Sequence, residues 1–348
     1  MKISTMLSYS GGFEESVDEV VRLEKEGLDT VWVAEAWGFD APSLMGYLAA
    51  RTQRVQIASG ILPLYSRTPA LLAMTAAGVD ALSGGRAMLG LGASGPQVIE
   101  GWHGVPYDAP VTRLREIIEI CRQIWRRERL VHSGRKYQMP LPEGQGTGLG
   151  KPLKMITQPF RDEIPIAVAS LGQKSVEVTA ELADAWLPVF WLAGKSEERW
   201  GEALRKGRLR RDAQRAPLDI HVGGLVAIGE GLESLRDLGR PQMALYVGGM
   251  GAREKNFYND VFASYGYEQE AKEIQDLFLA GKKVEAAAAI PDDFIEKTTL
   301  VGPEGFVRDR LVALRESGVT SLNVSFAGQT TEERVSMLCR LQEVLATL

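Results

Sequence analysis

Two apolar runs that flank one helix-forming segment constrain the fold of this chain more than any other feature. Val55–Leu62 and Ala87–Leu91 are apolar without alternation, and Thr68–Leu82 between them has apolar residues at spacings of three and four. Strands buried on both faces have such runs, and a helix that joins them forms a right-handed βαβ crossover. The segment therefore predicts two parallel strands whose glycine-rich C-terminal ends lie at one edge, where α/β folds bind ligands.

The same alternation of strand and helix continues along the chain. Predicted strands begin near residues 2, 30, 56, 87, 165, 185, 219 and 321. Eight such units favour a (β/α)8 TIM barrel over a doubly wound sheet. Residues 131–164 predict an irregular excursion with short strands after the fourth helix, and residues 229–300 predict a helical insertion between strands seven and eight. No linker divides the chain, so a single domain over 1–348 is expected.

Composition excludes several classes of protein. The net charge of −5 argues against a nucleic-acid partner, and no apolar run approaches the roughly 20 residues of a membrane span. The N-terminus has no signal-peptide pattern, which together with only two cysteines suggests a reducing, cytoplasmic compartment. The three histidines lack metal-ligand spacing, so no metal site is expected.

Loops that follow the predicted strands hold the candidate site residues. Ser170–Lys174 lies where a helix begins, so its backbone N–H groups could bind a phosphate, although an ordinary turn would have the same sequence. The glycine-rich stretch Gly92–Gly95 could form a second backbone cradle. The loop Ser8–Gly12 belongs to the same expected edge.

Two titratable residues in these loops are candidates for catalysis. Glu35 follows the second strand and could be an acid/base group or bind a ligand, but it could equally cap a helix or form a salt bridge. His103 could donate a proton or simply pack within its loop. Tyr65 is a further possible donor. Aromatic residues in the same loops could form walls for a flat ligand, although at least half of them are expected to belong to the core: Trp37, Phe39, Phe190, Trp191 and Tyr246.

Several motifs resemble those of the luciferase-like superfamily. They include Gly60-Ile61-Leu62-Pro63, Arg67-Thr68-Pro69-Ala70, Asp80-Ala81-Leu82-Ser83-Gly84-Gly85-Arg86, Gly101-Trp102-His103-Gly104-Val105-Pro106 and Ala169-Ser170-Leu171-Gly172-Gln173-Lys174-Ser175. Within that superfamily the chain is most similar to oxidoreductases that use the deazaflavin coenzyme F420, the group that contains methylenetetrahydromethanopterin reductase. The resemblance extends over essentially the whole chain.

This resemblance implies a barrel with a deazaflavin at its C-terminal mouth and a small-molecule substrate beside the ring. It places a cis peptide at Gly60–Ile61 against the ring and a backbone contact at Ser94–Gly95. The cofactor phosphate is expected at Ala169, Ser170, Leu171, Gly172 and Gln173. Glu35 would face the cofactor, and homodimers or homotetramers are expected.

One branch of the superfamily differs at informative positions. Its sugar-phosphate dehydrogenases have Asp-His where this chain has Glu35-Ala36, so a sugar phosphate is not the expected substrate. FMN is the alternative cofactor, in a monooxygenase that would need a separate reductase. A flavin-binding protein without catalysis is the other alternative.

Overall fold

Eight parallel strands close into a barrel in the computed structural model, which describes residues 1–7 and 12–348. The strands in this part of the chain are β1 (Lys2–Met6), β2 (Thr30–Val33), β3 (Gln56–Ser59), β4 (Leu62–Pro63), β5 (Ala87–Gly92), β6 (His132–Ser133), β7 (Gln138–Met139), β8 (Ile166–Ala169), β9 (Ala185–Trp186), β10 (Asp219–Val222), β11 (Leu225–Ile228), β12 (Leu300–Gly302), β13 (Ser321–Asn323) and β14 (Ser325–Phe326). The barrel order is β3-β2-β1-β13-β10-β9-β8-β5, and β5 pairs back to β3. The predicted TIM barrel is confirmed. Residues 8–11 of the loop Ser8–Gly12, which the sequence predicts at the mouth, lie outside the described residues.

Helices alternate with the barrel strands as the periodicity predicts. They are α1 (Phe13–Lys25), α2 (Ala41–Arg51), α3 (Pro69–Ser83), α4 (Pro96–Gly101), α5 (Pro110–Trp125), α6 (Gln173–Leu182), α7 (Ser196–Arg210), α8 (Arg240–Ala244), α9 (Phe257–Ala263), α10 (Glu268–Leu279), α11 (Lys283–Ala288), α12 (Asp292–Thr298), α13 (Glu304–Glu316) and α14 (Thr331–Ala346). Helix α3 shows how the sequence sets these bounds. The Thr68 side chain accepts a hydrogen bond from Leu71 N–H, Pro69 occupies the first turn, and Gly84 ends the helix at φ 68°.

The two predicted interruptions have the expected character. The excursion carries the antiparallel pair β6–β7, and the insertion consists of a 3₁₀ turn (Glu233–Gly239), a π-helical turn (Leu245–Gly249) and helices α8 to α12. The last two predicted strands differ from expectation because each divides in two. At Gly224, where the segment predicted as one strand breaks between β10 and β11, a Cβ atom would lie 2.2 Å from the Thr298 carbonyl oxygen. The chain turns there to form a second parallel sheet, β12-β11-β14.

The centre of the barrel is filled by one large ring and several small residues. Trp32 is fully buried and packs in a cluster with Ala58, Met88, Ala167 and Ala185. The larger core lies between the strands and the outer helices. Because the interior side chains around Trp32 are mostly alanines, the indole fits without widening the barrel.

The Ser83-Gly84-Gly85-Arg86 part of the family-like motif has a structural role at the opposite end of the barrel from the mouth. The Arg86 guanidinium donates hydrogen bonds to the carbonyl oxygens of Ala49, Thr52, Val55 and Ser83 at 2.7–3.2 Å. These bonds satisfy carbonyl groups at the C-terminus of α2 and in the loop that enters β3. The arginine thereby fixes the start of the strand that leads to Gly60.

Membrane-spanning helices and metal-binding clusters are both absent from the described part of the chain. Among residues 1–7 and 12–348, no helix is both long and apolar enough to cross a membrane. Within the same residues, no cluster of histidine, cysteine and carboxylate side chains is arranged to hold a metal ion.

Candidate active site

The C-terminal mouth of the barrel has a floor of small residues and short apolar side chains. A Cβ atom on Gly60 would lie 3.1 Å from Cβ of Trp32 and 3.2 Å from Cε of Met6, and one on Gly92 would lie 2.9 Å from Cγ1 of Ile61. A side chain at either glycine would therefore collide with the residues packed against it. The residues of this floor are small or apolar, a composition that suits contact with one face of a planar ring.

Gly60 and Ile61 form the part of this floor that follows β3. Their peptide bond is cis, the conformation that the resemblance implied. Gly60 N–H donates to the Val33 carbonyl oxygen at 2.7 Å, and the Ile61 side chain packs on the Trp32 cluster. Both residues are thus held by neighbouring strands.

Glu35 is anchored by two partners at the rim of the mouth. Its carboxylate accepts two hydrogen bonds from Arg67, at 2.5 and 2.8 Å, and one from Ala41 N–H at 2.9 Å. The side chains of Glu35 and Arg67 are only 8% and 14% exposed. The helix-cap and salt-bridge alternatives for Glu35 are therefore both present, and a carboxylate held in this way is suited to positioning Arg67. From the sequence, Arg67 was visible only as part of a family-like motif, with no function of its own.

The loop before α6 is held from within by two tryptophans. The carbonyl oxygens of Ser170 and Leu171 accept hydrogen bonds from the indoles of Trp186 and Trp200, each at 2.9 Å. The hydroxyl of Ser170 lies 2.9 Å from that of Thr179, inside the fold. The polar groups of Ser170 thus point inward, and any ligand contact at this residue would come from its backbone.

Helix α6 begins in this loop without a side-chain cap. Gly172 is its N-cap, its first turn carries no acidic residue, and Gly172 and Gln173 are exposed. The first N–H groups of a helix have no intrahelical partner and carry partial positive charge. This end of α6 is therefore suited to a phosphate group, and the phosphate site stays a prediction.

The loop after β5 brings Ser94 and Gly95 to the same rim. Ser94 has a left-handed backbone at φ 57°, and its carbonyl oxygen lies 3.5 Å from the Tyr107 hydroxyl. Gly95 is the N-cap of α4. His103 follows α4, is half-buried, and its N–H donates to the Val98 carbonyl oxygen at 3.2 Å.

Two tyrosines, Tyr65 and Tyr107, form a wall behind this rim. The sequence indicated only Tyr65, as a possible proton donor. Tyr65 and Tyr107 have ring centroids 5.2 Å apart, and Lys255 of the insertion lies 5.7 Å from the Tyr107 ring centroid. Burial raises the pKa of both phenols. Tyr65 also donates to the Asp108 carbonyl oxygen at 2.9 Å, so its hydroxyl is unsuited to the proton-donor role considered from the sequence.

The expected aromatic walls are only partly present. Trp191 is buried and stacks on Trp200 with centroids 5.9 Å apart, so it belongs to the core, which is the alternative that the sequence left open for these aromatic residues. Phe190 packs against Tyr246 of the insertion. Trp37 and Phe39, in contrast, are well exposed beside the mouth.

A cleft of about 590 Å³ lies next to the mouth, between residues 64–69 and residues 136–141. Arg113 in its wall is placed between the rings of Tyr65 and Tyr137 and donates to Asp108. Lys136 also donates to Asp108. Because these charged groups already have partners, the cleft offers a ligand mainly apolar surface.

Comparison with known proteins identifies the family. The model of the family described as luciferase-like monooxygenase matches residues 1–321. The chain belongs to the luciferase-like monooxygenase family. It is 41% identical over 340 residues to a Mycobacterium tuberculosis protein with the provisional name coenzyme F420-dependent oxidoreductase Rv3520c, covering 96% of this chain and 97% of that one.

The chain is also similar to two more distant proteins. A 5,10-methylenetetrahydromethanopterin reductase of Archaeoglobus fulgidus is 25% identical over 306 residues, which is 86% of this chain and 85% of the relative. The solved structure of the coenzyme F420 dependent tetrahydromethanopterin reductase from Methanopyrus kandleri superposes with a TM-score of 0.79 at 20% identity, covering 99% of both chains. That structural likeness supports the barrel fold of this luciferase-like chain.

Proposed function

We propose that this protein is an oxidoreductase that transfers a hydride between coenzyme F420 and a small organic substrate. The observation that carries the proposal is the 41% identity, over almost the full length of both chains, to the provisionally named F420-dependent oxidoreductase. The floor of small residues at Gly60 and the uncapped start of α6 support it, because they suit a flat ring and a phosphate.

The residues of the mouth would divide the binding of this cofactor among them. Gly60 and Ile61 would support one face of the ring, and the backbone of Ser94–Gly95 would contact its edge. The N–H groups of Leu171, Gly172 and Gln173 would bind the phosphate, with Ala169 and Ser170 positioning that loop from below. When bound, the deazaflavin supplies a carbon, C5, that gives or accepts the hydride.

The remaining rim residues would orient the substrate and handle a proton. Glu35 would hold Arg67 against the mouth through its two hydrogen bonds, so that the guanidinium keeps one orientation. His103 is the candidate proton donor because it lies at the rim and is half-exposed. The exposed rings of Trp37 and Phe39 favour an uncharged, largely apolar substrate. We place the enzyme in the cytoplasm, since both of its cysteines are free thiols.

Matched titrations test the cofactor assignment. Purified protein is titrated with F420 and, separately, with FMN, and binding is followed by the change in cofactor fluorescence. We expect saturable binding of F420 and much weaker binding of FMN. Tight FMN binding without F420 binding would favour the monooxygenase alternative. Binding of F420 without any redox change across a panel of carbonyl, imine and alkene substrates would favour a non-catalytic protein.

A further inference from the structure

The cleft beside the mouth has walls that are mostly apolar. It has a volume of about 590 Å³ and lies between residues 64–69, which follow β4, and residues 136–141 of the hairpin β6–β7 and its exit. This volume is within the range of about 300–1,000 Å³ that is typical of small-molecule sites. The side chains that make the walls apolar include Leu64, Val105, Tyr137, Met139, Pro140 and Leu141.

The wall of the cleft that belongs to the excursion is held in place by α5. The buried carboxylate of Glu116 accepts hydrogen bonds from three successive backbone N–H groups, those of residues 135–137, at 2.8–3.2 Å. Arg113, which is also on α5, donates to the Tyr137 hydroxyl at 3.1 Å. Because these bonds tie the hairpin to one helix, the cleft exists before a ligand binds.

The charged groups in the walls have partners within the chain. Arg113 and Lys136 both donate to Asp108. Arg67 donates to Glu35. A charged ligand would lose hydration and compete for these partners, whereas an alkyl chain gains free energy when it leaves water. The walls therefore favour an uncharged chain of methylene groups.

The cleft adjoins residues of the candidate active site. Arg67 lines the cleft and is held by Glu35 at the rim of the mouth. Tyr65 also lines it, and its ring centroid lies 5.2 Å from that of Tyr107, whose hydroxyl is 3.5 Å from the Ser94 carbonyl oxygen. A molecule with its reactive group at the mouth can therefore extend into the cleft.

We propose that the cleft binds an uncharged alkyl tail of the substrate, whose reactive group lies at the mouth. The inference rests on the proposed function, because it names the substrate class of the same site, but alkyl binding by the cleft can be measured without the cofactor. Each methylene group that moves from water into such a cleft should strengthen binding about three- to fourfold. A series of chain lengths therefore measures the proposed contact.

Isothermal titration calorimetry of the full chain with 1-hexanol, 1-octanol and 1-decanol tests the proposal. Leu141→Asp places a charge at the edge of the cleft, and Met139→Asp places one in its wall. The matched control is Leu153→Asp, because Leu153 is a similarly exposed leucine of the same excursion and does not line the cleft. Thermal unfolding establishes that each variant is folded.

We expect the dissociation constant to fall about three- to fourfold for each added methylene group in the wild type and in Leu153→Asp. Leu141→Asp and Met139→Asp should each bind 1-decanol at least about fivefold more weakly, and Leu141→Asp decides alone if Met139→Asp does not fold. Three results would overturn the proposal: no dependence on chain length, unchanged affinity in a folded cleft variant, or tighter binding of decanoate than of 1-decanol at neutral pH.

A repeat of the titration with F420 in excess separates this inference from the proposed function. We expect 1-decanol to bind the F420-loaded protein at least as tightly as the cofactor-free protein. Displacement of 1-decanol by F420 would assign the cleft to the cofactor and overturn the inference. Unchanged 1-decanol binding in a protein that does not bind F420 would contradict the proposed function and still support the cleft as an alkyl site.

Discussion

Arg67 and Glu35 come from loops after different strands and form a doubly hydrogen-bonded ion pair at the rim of the barrel. The guanidinium nitrogens lie 2.5 and 2.8 Å from the two carboxylate oxygens, and both side chains are almost completely shielded from solvent. A third bond from Ala41 N–H joins this pair to the first residue of α2. One carboxylate, that of Glu35, thus connects three segments that surround the candidate site.

Removal of Arg67 should lower the stability of the fold. In Arg67→Met the shielded Glu35 carboxylate keeps only the Ala41 bond, and we expect a loss of about 2–4 kcal/mol in the free energy of unfolding. Urea denaturation measures this change. The control is Arg205→Met, which breaks the exposed pair with Glu202 and should change the free energy by less than about 1 kcal/mol. Equal effects of the two substitutions would contradict the role given to Arg67.

The approach of β5 to β3 requires glycine at position 90. A Cβ atom there would lie 1.7 Å from the Ser59 carbonyl oxygen, and the Ser59 hydroxyl bonds to both the N–H and the carbonyl of Gly90. We expect Gly90→Ala to cost more than about 3 kcal/mol or to prevent folding. Gly305→Ala is the control, since a Cβ atom there meets nothing within 4 Å and should add about 0.5–1 kcal/mol as a better helix former. The midpoints of urea unfolding compare the two.

A negative charge at the start of α6 should separate helix stability from phosphate binding. Lys174→Glu adds an acidic residue to the first turn, which favours the helix by about 0.3–1 kcal/mol but repels a bound anion. We therefore expect a slightly higher melting temperature and about tenfold weaker F420 binding, equivalent to about 1.4 kcal/mol. Lys154→Glu makes the same charge change in the exposed excursion and should leave the affinity unchanged. A parallel loss in both variants would place the phosphate elsewhere.

Asp219 should contribute to the acid sensitivity of the fold. Burial alone would raise the pKa of this carboxyl, but His221, Thr320 and Ser321 outweigh burial and hold the pKa below its usual range. Because the folded-state pKa is the lower one, the resulting stability is present above about pH 4 and is lost as the pH falls toward the folded-state value. We expect Asp219→Asn to reduce the free energy of unfolding at neutral pH and to converge with the wild type in acid. The control is Asp162→Asn at an exposed position. Its free energy of unfolding should equal that of the wild type at neutral pH as well as in acid.

The barrel could be predicted from the sequence because its signal is local. Each apolar run such as Ala87–Leu91 marks a strand by itself, and residues such as Thr68 and Gly84 mark helix ends within a few positions. The division of β10 and β11 was missed, although its glycines were visible, because the reason lies in a distant carbonyl group at Thr298.

The site was less predictable because its contacts join distant segments. The sequence placed Glu35 at the rim but could not choose between a free and a paired carboxylate, since the partner lies 32 residues away. Lys255 reaches Tyr107 only because the insertion folds back over the barrel. Trp191 has the same local context whether it faces a ligand or the core, and its stacking on Trp200 became evident only in three dimensions.

The position of the F420 phosphate in a crystal structure of the complex tests the central claim most directly. We expect a phosphate oxygen about 3 Å from the N–H of Gly172 or Gln173, with the deazaflavin ring against Gly60 and Ile61. A phosphate bound away from the start of α6, or a ring that does not reach the mouth of the barrel, would contradict the assignment of this site.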